Sequence, residues 1–108
     1  MDKETENQIK ELQMLEQNLQ SVMMQKQAFQ MEMTEIENSL EELGKSSEEV
    51  YKIVGNIMMK ATKAGLLKEL EEKKDLVALR LKTISGQEKT LEESSEKLRN
   101  EVLSKMKQ

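Results

Sequence analysis

Leu12, Leu15, Leu19, Val22, Lys26, Phe29, Met33, Ile36, Leu40 and Leu43 follow one another at alternating steps of three and four residues, and only Lys26 is polar. An apolar period of 3.5 residues held this long predicts one helix over about 4–44 that supercoils, left-handed, with a partner helix. Gly44 stands where a C′ glycine would stop it. A second seam occupies the last forty residues: Leu67, Leu70, Lys74, Val77, Leu81, Ile84, Glu88, Leu91, Ser95, Leu98, Val102 and Lys105. Eight of these twelve positions are apolar, so this helix, expected over about 64–107, has the less regular seam. Its Ser85-Gly86 pair marks a soft point, because glycine in a helix interior costs roughly 1 kcal/mol against alanine.

Between the seams the pattern changes. Val50-Tyr51-Lys52-Ile53-Val54 is β-branched and aromatic and reads as a strand. Gly55-Asn56 suits a two-residue type II′ turn, glycine supplying the positive φ. Ile57-Met58-Met59-Lys60-Ala61 is then the return strand, so the hairpin spans about 50–61. That turn sets Val54 opposite Ile57 and Ile53 opposite Met58. Val50, Lys52, Val54, Ile57, Met59 and Ala61 share one face, and Tyr51, Ile53, Met58 and Lys60 share the other. Thr62 is a fitting N-cap for the second helix. The fold expected is mainly α: a long antiparallel two-helix coiled coil with a β-hairpin between the helices.

Each helix is on the order of 60 Å long at 1.5 Å per residue. Folding back at the hairpin makes residues whose numbers sum to about 110 face each other. Lys26 then lies diagonally beside Glu88, and this pair would fix register, a common use of lone polar seam residues. Alternatively both side chains snorkel to water.

A two-stranded hairpin alone is marginal in water. This one is apolar on both faces, and Lys52 and Lys60 are its only charges. Unpaired edges of that kind invite another chain. The expectation is an oligomer whose hairpins combine into an intersubunit sheet or β-barrel; the alternative is a hairpin packed down on its own helices. The coiled coils would project from that assembly with both termini at their far ends. There Ile9, Leu12, Met14 and Leu15 on one helix and Leu98, Val102, Leu103 and Met106 on the other offer an apolar surface for non-polar segments of other proteins. Methionine, nine of the 108 residues, suits such a surface because its thioether side chain repacks against many shapes.

Composition narrows the function classes. Apolar residues make up 36% and charged residues 35%, with no proline or tryptophan, one Phe and one Tyr. That profile fits long helices and not a wide core. Residues 1–45 hold ten acids and four bases, whereas residues 66–108 hold nine acids and ten bases, a contrast that favours antiparallel pairing. Neither helix carries the basic stripe that a phosphate backbone requires. The chain has no cysteine and no histidine, so no thiol nucleophile, thiolate metal site or histidine base is available. The scattered glycines form no phosphate-binding loop. Acidic pairs such as Glu41-Glu42, Glu48-Glu49, Glu71-Glu72 and Glu92-Glu93 are neighbours on helices or loops and do not converge. No apolar stretch approaches a membrane span, and Met1-Asp2-Lys3-Glu4 opens no signal sequence. The expectation is a soluble cytoplasmic protein without catalytic residues, cofactor or metal, and without nucleic-acid or membrane partners.

The run from Glu49 to Lys60, set between two long helices, resembles the β-type subunit of prefoldin, archaeal prefoldin in particular. The Val50-Tyr51-Lys52 start and the Val54-Gly55 turn are its most specific part. The leucine-rich start of the second helix and Gln25-Lys26-Gln27 are also similar. Gly65 departs from the polar helix start expected of the family. The resemblance implies one prefoldin-like domain over 1–108 and an ATP-independent chaperone of two α-type and four β-type subunits joined through a double β-barrel. Its arm tips would hold non-native proteins and pass them to a group II chaperonin. Carried onto this chain, Tyr51, Ile53, Val54, Ile57, Met58 and Met59 belong to the assembly region, and the tip residues named above to the client surface. The alternative function is a structural coiled-coil adaptor that scaffolds other proteins and holds no clients.

Overall fold

The computed structural model describes residues 2–47 and 49–107; Met1, Glu48 and Gln108 lie outside the described residues. Helix α1 spans Lys3–Lys45, strand β1 Val50–Val54, strand β2 Ile57–Ala61 and helix α2 Lys63–Met106. The chain divides into two compact units. The terminal unit comprises Met1–Ala28 and Lys82–Gln108, and the hairpin unit Phe29–Leu81. Every seam position read from the heptads is buried or half-buried. In the hairpin unit Ile36, Leu43 and Val77 are the buried core; in the terminal unit it is Ile84, Leu98 and Val102.

The helices of the terminal unit run antiparallel. Lys26 Nζ meets Glu88 Oε1 at 2.8 Å, Arg99 meets Glu16 at 3.0 Å, and Lys105 meets Glu4 at 3.0 Å, so one number falls as the other rises. The Lys26–Glu88 side chains keep only 29% and 16% of their exposure. They pair within the seam and do not snorkel apart.

Side chains close three of the four helix termini's open groups. The Thr5 N–H donates to Asp2 Oδ1 at 2.7 Å, an N-cap at the start of α1. Thr5, through its side-chain hydroxyl first and this backbone bond second, holds the Asp2 carboxyl below its ordinary value of 3.8. At the start of α2 the Gly65 N–H donates to Thr62 Oγ1 at 3.0 Å. Gly65 is therefore the third residue of a capped helix. A Cβ there would lie 2.7 Å from the capping oxygen, which explains its departure from a polar start. Gly44, expected to end α1, does not. Its φ is not positive, and the helix continues to Lys45. The stop comes one residue later: the Ser46 N–H donates to the Leu43 carbonyl at 3.2 Å. Lys63 Nζ then donates to the carbonyls of Ser46 at 2.7 Å and Gly44 at 3.4 Å. A cation on the first turn of α2 thus caps the last carbonyls of α1, the favourable sign for that end of a helix dipole.

The hairpin has the register its turn dictates, with Val54 paired to Ile57, Ile53 to Met58 and Val50 to Ala61. Gly55 has φ +61° and is the only described residue with positive φ, as a type II′ turn requires.

Candidate functional site

Three parts of the chain leave apolar groups in water: the hairpin, the terminal unit, and the helices of the hairpin unit, where Met31, Leu76 and Leu79 are exposed. The first is the hairpin. Its two strands form a sheet of their own, so β1 and β2 each keep one edge without a backbone partner. Only Val50 and Ala61, at the open end of the ladder, and Lys52, at its middle, are half-buried. All six residues expected to join subunits are exposed: Ile53 at 72%, Met58 at 66%, Ile57 at 65%, and Tyr51, Val54 and Met59 near one half. Because side chains alternate along a strand, these six divide between both faces of the sheet. The hairpin meets its own helices chiefly through Val50, Lys52 and Ala61.

Charges border this surface. Lys60 Nζ and the Tyr51 hydroxyl both donate to the Glu49 carboxylate, each at 2.9 Å. Lys60, and then Tyr51, hold the Glu49 carboxyl below its ordinary value of 4.5. Lys52 lies 3.5 Å from Glu69 on α2. Between β1 and the helices an open groove is lined by Leu43, Val50, Val54, Leu66 and Leu70, with Glu42 and Lys73 at its rim.

The second region is the terminal unit, which separates the eight expected client residues into three groups. Met14, Leu103 and Met106 are well exposed. Ile9, Leu12 and Leu15 are half-buried. Leu98 and Val102, at 9% and 5% exposure, lie in the seam and present little surface while the helices are closed. Heptad positions point inward whenever a partner helix is present, so these two reach water only where the helices part. Glu49 and Lys105 were not singled out as partners in sequence. Tyr51 and Lys60 lie on one strand face, which is the signal that a carboxylate could join them; Lys105 showed only as a polar break in the seam.

Among the described residues no group of three or more acidic, cysteine or histidine side chains could hold a metal ion, and no helix is long and apolar enough to cross a membrane. The chain does have relatives with this architecture. A family model described as "Prefoldin subunit" matches residues 6–108. Prefoldin subunit beta of Archaeoglobus fulgidus is 40% identical over 103 residues, covering 90% of this chain and 89% of the relative. The chain belongs to the prefoldin β-subunit family. Prefoldin subunit beta of Methanothrix thermoacetophila is 37% identical over 101 residues, 92% of this chain and 84% of the relative. The crystal structure of the prefoldin beta subunit from Thermococcus strain KS-1 superposes with a TM-score of 0.89 at 33% identity, covering 95% of this chain and 92% of that one. The prefoldin beta2 subunit of the same strain shares the fold, with a TM-score of 0.74 at 19% identity over 81% of this chain and 95% of that one. Prefoldin is a chaperone family and not an enzyme family, and its subunits form hetero-oligomers with one another. This chain is thus a chaperone subunit of coiled-coil build.

Proposed function

We propose that this chain is a holdase arm that assembles through its hairpin and binds non-native proteins at its helix ends without ATP. The partner is an α-type prefoldin subunit in a cytoplasmic hexamer of two α and four β chains, their hairpins closing into an intersubunit β-barrel. Bound clients pass to a group II chaperonin. The observation that carries this reading is the bare hairpin. Six large side chains on ten strand residues, on both faces and beside two open edges, stay about half or more exposed among the described residues. At roughly 25 cal/mol per Å², covering them is a strong drive for association. Closure into a barrel removes the open edges as well.

We place the clients at the helix ends. Met14, Leu103 and Met106 supply exposed, adaptable apolar groups there. The test is aggregation of a guanidine-denatured protein on dilution, with the assembled oligomer and no nucleotide. Suppression is expected, and removal of about ten residues from each terminus should abolish it while leaving the oligomer's mass otherwise intact. A truncated assembly that still holds clients overturns the placement. A single stoichiometric partner without general holding would favour an adaptor instead.

A further inference from the structure

The seam of the terminal unit is poorly suited to staying shut. Lys26, Glu88 and Lys105 occupy seam positions there, Thr5 and Ser95 are buried polar residues, and the Ser95 hydroxyl has no hydrogen-bond partner among the described residues. An orphaned buried hydroxyl favours states in which water reaches it. By contrast the seam of the hairpin unit is apolar at every position except Lys74. At the chain ends a polar clasp takes the place of apolar packing. Lys105 Nζ donates to Gln8 Oε1 at 2.9 Å and pairs with Glu4 at 3.0 Å, and Arg99 pairs with Glu16 at 3.0 Å. Glu4 is three-quarters exposed, and Arg99 and Glu16 are half exposed, so these bonds are weak and salt-sensitive. Beneath them lie Leu98 and Val102, the most deeply buried of the apolar groups assigned to clients.

We propose that this stretch is a gated client groove: the Lys105 clasp closes it, and its opening presents Leu98, Val102 and their half-buried neighbours Leu12 and Leu15 to an apolar segment of a non-native polypeptide. Lys105 is a positioning residue, acting through the closed state and not by touching the client. This rests on the holdase reading given above and adds its regulation. When only the open form binds, affinity scales with the open fraction. Weakening the clasp should therefore strengthen client binding although it destabilises the arm, and tightening the seam should do the reverse.

The experiment uses the assembled oligomer and a fluorescently labelled, guanidine-denatured lysozyme kept reduced. Lys105→Ala should bind it roughly two- to five-fold more tightly, the range set by an exposed ion pair, while lowering the arm's melting temperature. Ser95→Ala should bind less tightly and melt higher. Raising salt should strengthen binding by the wild type more than by Lys105→Ala. If Lys105→Ala binds no better than wild type while terminal truncation abolishes binding, the ends hold clients without a gate and the inference falls. If truncation leaves binding intact, the holdase placement falls and the gate with it. A purely structural role for Lys105 predicts loss of binding together with loss of stability, the opposite sign.

Discussion

Glu88 next to Lys26 shows how much one pair of side chains settles in a chain this repetitive. Almost any heptad can pack against any other, so apolar positions define the seam but not the register. A charged pair held at 2.8 Å with little solvent around it is satisfied in one alignment alone. Lys26→Ala should destabilise the arm by about 1–3 kcal/mol, since Glu88 is left half-buried without a partner. Replacing both by leucine should restore or raise stability and loosen register. Thermal melts with disulfide trapping across the helices would read both effects. The glycines separate in the same way. Gly86 is exposed and a Cβ there meets nothing within 4 Å, so Gly86→Ala should stabilise by roughly 0.5–1 kcal/mol. Gly65→Ala should show little or none of that gain, because the new Cβ displaces the Thr62 cap, a bond worth about 1 kcal/mol. Equal gains at both sites would contradict the account of the cap. The Lys26–Glu88 pair was legible in sequence because it broke an apolar seam at diagonally adjacent positions. The cap of Lys63 was not, since it depends on a contact across the hairpin that no periodicity encodes.

Among the elements, the hairpin was the most legible. Gly-Asn between a β-branched run and an apolar one specifies a two-residue turn, and the turn sets which residues pair. The helix boundary at Gly44 was misread for a physical reason. Glycine at C′ ends a helix only by adopting positive φ, and here the last carbonyls find Lys63 and a tighter bond from Ser46 instead. Glu49 gives the hairpin a pH response. Its carboxyl titrates lower in the fold than in an open chain, so its contribution is complete above its ordinary value of 4.5. It is lost as pH falls through the lowered folded value. The Lys60 and Tyr51 bonds should therefore persist to mildly acidic pH and release below it. The carboxyl resonance of Glu49 should titrate below 4.5 in the wild type and move back towards it in Lys60→Met.

For the molecule as a whole, each unit has its own balance of apolar and polar contacts. The hairpin unit has an apolar seam and a sheet with large exposed apolar side chains on both faces. The terminal unit has a seam interrupted by charge, a buried hydroxyl and exposed ion pairs. Client residues could be named in sequence only as apolar groups near the termini. Which of them face the partner helix followed from the heptads, and Leu98 and Val102 duly lie inside. On the gate proposed above, their service to clients follows the equilibrium between closed and open arms, which residue spacing does not report. The most direct test of the account is the mass by light scattering of Ile53→Lys/Ile57→Lys mixed with an α-type prefoldin subunit. The account predicts loss of the wild-type hexamer to smaller species that remain helical by circular dichroism. A mass equal to that of the wild-type mixture would contradict it.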